Sequence, residues 1–240
     1  MHVSMLPFIE QSDLYDRIQE RKLSNWNAAV PIDIVLPILL CPTDSAPVLV
    51  GTSKKAGTNY AGNCGVWLIP NGFDGLFVYL PPPPGPYRGA PVRLADVTDG
   101  LSNTAALSEI LRASESKGRL RVNWNTPKLY MLSTELDAFA SYCRSLPDNP
   151  FEFGWVGDPW ARGLPWTEGA VGFTLYNHGI EPNNPSCYNQ DGVASALSAA
   201  ASEHSGGVNV LLGDGRVEFI GEAVDRVVWR DIGSRASIAP

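Results

Sequence analysis

His204 is followed, after nine intervening residues, by Asp214-Gly215, and a histidine ahead of an acid raises the idea of a proton-handling dyad. Such a dyad needs a nucleophile placed by a motif. The chain has no Gly-x-Ser-x-Gly elbow, and Cys41, Cys64, Cys143 and Cys187 stand in no recognisable catalytic context. With only His2, His178 and His204, and no Cys-x-x-Cys pair, a standard zinc set is not expected. Asp96 and Asp99, followed by Ser102, Asn103 and Glu109, gather the oxygen ligands that calcium prefers. Their spacing is not that of an EF-hand loop, and Asp99 and Asn103 equally serve as side-chain-to-backbone braces of a turn. Trp155, Trp160 and Trp166 lie in a Pro/Gly-rich stretch, 154 to 166. Their rings could stack on a glycan or a protein partner, or form the small core of their own loop. The 25 acids are scattered, so no carboxylate pair for glycoside chemistry stands out. The reading is of a protein that is not an enzyme, with His204 hydrogen-bonding loop backbone at a hairpin entrance.

That hairpin is the firmest element. Asp214-Gly215 between two apolar runs is a strong type I′ turn signal, because both central residues need positive φ. As a two-residue loop it pairs Gly213 with Arg216, Leu212 with Val217 and Val210 with Phe219. Val208, Val210, Leu212, Val217 and Phe219 would then share one buried face. Upstream, Ser12 or Asp13 caps a helix through about Arg21, with Leu14, Tyr15 and Ile18 facing a sheet. Residues 32 to 40 read as a strand interrupted by Pro37, and 52 to 65 as a polar, glycine-containing loop. The prolines at 81 to 84 and 86 dictate polyproline II and a stiff surface loop. Residues 92 to 112 read as a strand, the turn TDGLSN and a second apolar segment. Further strands are expected at 128 to 136 and 166 to 176. A short helix or small-residue loop is expected at 194 to 201, and a terminal helix at 224 to 232. The class is α+β, mainly antiparallel sheet with a short N-terminal helix and long loops.

The 240 residues suffice for one globular domain with a substantial core, and 23 glycines and 20 prolines favour turns over a helical bundle. A net charge of −7 disfavours a nucleic-acid groove, which needs clustered Lys and Arg. No stretch approaches the ~20 apolar residues of a membrane span, and the opening residues contain no signal-peptide core. They begin in core-like sequence, as a chain would after removal of an export segment. Four cysteines without metal spacing favour two disulfides in an exported protein over four buried thiols, with three connectivities open.

Several blocks together resemble a known family. MLPFIEQSDLYDRI (5 to 18), LPILLCPTD (36 to 44), NYAGNCG (59 to 65), DVTDGLSNTAALSE (96 to 109), GFTLYNHGIEPNNPSC (172 to 187) and HSGGVNVLLGDGRVEFI (204 to 220) follow one another as in the planctomycete-type prepilin-like proteins of unknown function. The closing signature of that family is His, nine residues, Asp-Gly. The resemblance implies export to the cell envelope or beyond, and a pilin-like globular part of 1 to 240, without the hydrophobic N-terminal helix and prepilin leader. It implies a structural pilin or pseudopilin-like subunit of a surface filament or secretion apparatus. Its partners would be other pilin-like subunits or secretion proteins, and it would meet the membrane only through the missing helix. The alternative is an extracellular binding module using the Trp155–Trp166 loop or a calcium site. His204, Asp214, Gly215, Asp99, Gly100, Ser102, Asn103, Thr104 and Glu109 match signature positions and are read as turn and packing determinants. Export makes disulfides expected, with Cys143–Cys187 and Cys41–Cys64 the first pairing.

Overall fold

A computed structural model describes residues 1–20, 32–66, 73–78, 90–114, 118–130, 132–148, 162–189 and 196–236. The proline run at 81 to 86, Trp155 and Trp160 lie outside them. Two helices open the chain, α1 (His2–Met5) and α2 (Ser12–Glu20). Strands β1 (Leu49–Val50), β2 (Lys55–Ala56), β3 (Tyr60–Asn63), β4 (Ala105–Glu109) and β5 (Asn123–Asn125) precede helix α3 (Leu136–Arg144). Then come β6 (Leu175–Tyr176), β7 (Ser186–Tyr188), β8 (Ala196–Leu197), β9 (Gly207–Leu212), β10 (Val217–Gly221) and helix α4 (Arg226–Gly233). The fold is α+β. Its main sheet has five strands in the order β10-β9-β4-β3-β6, antiparallel except for β3 beside β6. A three-stranded sheet (β5-β7-β8) and the β1-β2 pair complete it. No helix among the described residues is long and apolar enough to cross a membrane.

The strand pattern of β9 explains the main core. Val208, Val210 and Leu212 alternate inward and are buried with Ala61, Ala105, Tyr176 and Trp229 of α4. Val208, Val210 and Leu212 each contribute roughly 1.5–3 kcal/mol relative to exposure. Asp225 caps α4, its Oδ1 accepting from Val227 N at 2.8 Å and Val228 N at 3.3 Å. Trp229 is thereby held inward, its indole N–H donating to Ile180 O at 2.7 Å.

The hairpin exists, in a different register. Gly215 N donates to Leu212 O at 3.0 Å, and Leu212 N to Arg216 O at 2.8 Å, so the loop has three residues rather than two. Gly215 alone has positive φ, +93°, as the third loop residue of a type I turn with a bulge requires. Val217 therefore faces Leu211, Glu218 faces Val210 and Ile220 faces Val208. One extra residue flips every side chain of β10. Val217 and Phe219, expected inside, are 61% and 54% exposed, while Ile220 packs on the core.

Other expectations are corrected by local packing. α2 forms as expected over the described Ser12–Glu20, but its Leu14, Tyr15 and Ile18 pack with Leu6, Leu36, Leu39 and Trp166 rather than on the main sheet. Residues 32 to 40 form no strand, since Pro37 starts a 3-10 turn over Pro37–Leu39. The supposed polar loop 52 to 65 contains β3, a buried strand of the main sheet. The segment before the TDGLSN turn carries a 3-10 turn at Leu94–Asp96 instead of a strand. The strand expected over 128 to 136 is replaced by a 3-10 turn leading into α3, whose Leu136, Phe139, Ala140 and Cys143 line one buried helical face. Of 166 to 176 only Leu175–Tyr176 is a strand, and 196 to 197 is a strand where a helix or loop was expected.

Candidate functional site

The strands bring distant blocks of sequence to one end of the main sheet. β3 begins beside Asn59, β4 ends at Glu109, and the turn at 203 to 206 enters β9. Asn59 pulls in a fourth segment. Its Oδ1 accepts from Cys41 N at 3.0 Å, its backbone N donates to Leu39 O at 2.8 Å, and its side-chain N–H donates to Ile110 O at 3.0 Å. Cys41, Glu109 and His204 consequently converge. His204 Nε2 lies 3.1 Å from Glu109 Oε1 and 3.9 Å from Cys41 Sγ. The ligand atoms of all three lie within 4.8 Å of one another. Glu109 and Cys41 are buried, and the His204 side chain is 29% exposed. Glu109 Oε2 accepts from Asn209 N at 2.8 Å, which ties the carboxylate to β9. Thr43 Oγ1 sits 3.0 Å from Cys41 Sγ, and His204 N donates to Ser202 Oγ at 3.1 Å. The imidazole thus guards the hairpin entrance through a carboxylate, not through the loop backbone expected from sequence.

Next to this trio lies a buried ionic network. Asp44 Oδ2 meets Arg112 Nε at 3.0 Å and Asp44 Oδ1 meets Arg121 Nη1 at 2.6 Å. Asn59 donates to Asp44 as well. Arg112 spends its other N–H groups on Ala46 O and Pro47 O, both at 2.8 Å. Arg121 continues to Glu203, which accepts from Ser45 Oγ at 2.9 Å. Burial pushes the Asp44 carboxyl upward, but its bonds from Asn59, Ala46 N and Arg121 outweigh that and hold it below the usual carboxylate range. A small cavity is lined by Cys41, Asp44, Asn59, Glu109 and Glu203 together.

The remaining signature residues gather at the opposite end of β4. Gly100 (φ +88°) turns the chain, Asn103 Nδ2 donates to Asp99 O at 2.9 Å, and Thr104 Oγ1 donates to Gly100 O at 3.1 Å. This turn docks on the hairpin loop: Gly213 N donates to Thr104 O at 2.8 Å and Arg216 Nη2 to Ser102 O at 3.0 Å. Asp214 Oδ1 accepts from Arg216 N at 3.0 Å, a local turn brace. His204 and Asp214 therefore sit at opposite ends of the six-residue β9, roughly 20 Å apart at strand rise, and form no dyad. Asp96 directs both carboxylate oxygens at Arg93. Asp99 and Asn103 also line a wider depression of about 700 Å³ with Val66, Leu136, Arg230 and Ser234. Trp166 is buried, its indole N–H donating to Ile34 O at 2.7 Å, so its ring offers no face to a ligand.

Cys143 and Cys187 are joined, tying α3 to β7 with Cα atoms 6.1 Å apart. The second expected bridge is absent: Cys41 and Cys64 are separate buried thiols. Cys41 is fastened to Asn59, before β3, whereas Cys64 follows the end of β3 and donates to Tyr176 O at 3.1 Å. Five residues of extended chain, about 16 Å, exceed the ~7 Å Cα separation that a disulfide tolerates. Sequence reasoning missed Cys41 as a partner of His204 and Glu109. Glu109 closes one family-like block and His204 opens another, but Cys41 lies inside its block, 36 to 44, with nothing in the spacing to join it to them.

Residues 1–227 match a family model described as a protein of unknown function (DUF1559). No curated protein matches the chain. No solved structure matches it either.

Proposed function

From the premise that the chain belongs to the family of proteins of unknown function DUF1559, we propose that it is the globular part of an exported, pilin-like structural subunit without catalysis of its own. The observation that carries this reading is where the residues of the family-like blocks spend their polar groups. Asn63 and Glu109 bond to neighbouring strands, Asn59 to Ile110 O just past β4, and Thr104 to Gly100 O within its own turn. Asn63, for example, donates to Ala105 O and Gly233 O, both at 2.8 Å, joining β3, β4 and the end of α4. Groups so engaged brace a scaffold. The Cys143–Cys187 bridge supports export, because such bonds persist in oxidising compartments.

In a surface apparatus this domain would sit outside the membrane and pack against further copies or other subunits. The test is made on the full-length gene product in the cells that produce it. Protease added outside intact cells should cut it, and it should be recovered in the envelope or sheared-surface fraction with Cys143 and Cys187 oxidised. Recovery in the cytosol, protected from protease and with four reduced thiols, overturns the reading.

A further inference from the structure

We propose that Cys41, Glu109 and His204 form a binding site for one divalent transition-metal ion of the zinc class. Three segments remote in sequence deliver one sulfur, one nitrogen and one oxygen to a common point. Tetrahedral zinc with ordinary bond lengths separates its ligand atoms by about 3.4–3.6 Å. The nitrogen–oxygen pair is at 3.1 Å and the sulfur–nitrogen pair at 3.9 Å, so small side-chain rotations suffice to admit the ion.

The arrangement is a ligand set and not a nucleophile relay. In a relay the thiol and the carboxylate engage different imidazole nitrogens, so that one orients the ring while the other exchanges a proton. Here both face Nε2. One imidazole nitrogen shared between a sulfur and a carboxylate oxygen sets three potential ligand atoms around a common point, as a cation requires.

Charge points the same way. Asp44 and Glu203 are already matched by Arg112 and Arg121. Binding releases the Cys41 proton, and the resulting thiolate with the Glu109 carboxylate supplies two negative charges that a divalent cation neutralises. Two of the ligands also have outer support of the kind metal sites use, Asn209 on Glu109 and Thr43 beside Cys41, and Ser202 fixes the His204 backbone. Mixed S, N and O donors select zinc-class ions over calcium or magnesium. The partial exposure of His204 provides an entry path and leaves the fourth position for water. The site stands independently of the pilin-like reading, since it is tested on purified protein and that reading in cells.

Purified full-length chain, stripped with chelator, is titrated with Co(II) and then Zn(II). The expected result is one equivalent of cobalt with a thiolate-to-metal charge-transfer band in the near ultraviolet, bleached by zinc. Cys41→Ser should remove the band, and His204→Gln should weaken affinity at least about tenfold, with Cys64→Ser unchanged. On the unmutated protein, zinc should slow iodoacetamide labelling of Cys41, read by peptide mass spectrometry, so the outcome does not hang on how the variants fold. The proposal is overturned by any of three results: no stoichiometric uptake, cobalt binding without a thiolate band, or uptake unaltered by Cys41→Ser and His204→Gln.

Discussion

The Asp44 carboxylate meets Arg112 Nε at 3.0 Å with both side chains almost wholly shut off from water. A second guanidinium, Arg121, takes the other oxygen at 2.6 Å. Removing the acid leaves two buried cations facing each other, whereas the intact cluster is fully bonded. Asp44→Ala should therefore cost about 3–5 kcal/mol in urea unfolding, as breakage of a buried pair does. The pH sign follows from the depressed folded-state value. Asp44 contributes its stability above the ordinary Asp value of about 3.9, and that stability drains as pH falls through the lower folded value. Unfolding midpoints of Asp44→Ala should accordingly lose less than wild type as pH falls below about 3.9.

His178 gives a second pH dependence at higher pH. Its Nδ1 lies 2.7 Å from Trp229 O, which can only accept, so Nδ1 carries the proton and Nε2 accepts from Tyr176 OH at 2.9 Å. Burial pushes the imidazole down to about 3, and burial does the same to His2. With folded values below the unfolded one, the unfolded chain binds protons first. Stability is complete above about 6.5 and falls with acidification towards 3, by about 1.4 kcal/mol per pH unit for each group. His178→Gln should lower the slope of unfolding free energy by about 1.4 kcal/mol per pH unit between pH 6 and pH 4, about the middle of that window. An unaltered slope would refute the assignment.

The Cys143–Cys187 bridge closes a loop of sequence separation 44 between α3 and β7. Loop-closure entropy for that length is worth about 4 kcal/mol, and measured losses run about 2–5 kcal/mol. Replacing both cysteines with alanine should lower stability by that amount. Ellman titration of the denatured, unreduced wild type should find two thiols, Cys41 and Cys64. Finding none would mean a second bridge.

Glycine at 233 marks a place where packing, not turn geometry, dictates the residue. A Cβ there would fall on His178 Cβ and Cγ, and His178 is pinned by Trp229 and Tyr176. Gly215 is the opposite case, with φ of +93° and nothing within 4 Å of an added Cβ. Gly215→Ala should cost about 1 kcal/mol for backbone strain alone, and Gly233→Ala about 2 kcal/mol or more for overpacking. Chemical denaturation of the two variants side by side tests the ranking.

What could be read in advance was local. Ser12 ahead of Leu14, Tyr15 and Ile18 marks α2, Asp-Gly marks the hairpin, and the apolar spacing before Gly233 marks α4. β3 is hidden in the sequence because Asn59, just before it, and Asn63, at its end, look like loop residues until their partners, Leu39, Ile110, Ala105 and Gly233, arrive from elsewhere in the chain. α3 is legible in Leu136, Phe139, Ala140 and Cys143, which repeat at helical spacing, but reading residues 128 to 136 as a strand hides its start. The Cys41–Glu109–His204 cluster depends on three strand ends meeting, which no local spacing encodes.

The hairpin register offers the sharpest mutational contrast. With a two-residue loop, Phe219 would share the buried face with Val210, and Phe219→Ala would cost about 3–5 kcal/mol as a core truncation. In the three-residue loop Phe219 lies 54% exposed opposite Asn209, on the solvent side of an edge strand. Val210 stays fully buried against Trp229 and Ala61. Phe219→Ser should therefore shift unfolding free energy by no more than about 0.5–1 kcal/mol, and Val210→Ala by about 2 kcal/mol or more. Asp214→Ala, which removes the brace on Arg216 N, should fall between them at about 1 kcal/mol. Guanidinium unfolding of the three variants decides the register. A Phe219→Ser loss equal to or above that of Val210→Ala restores the two-residue turn and moves β10 by one residue along its partner.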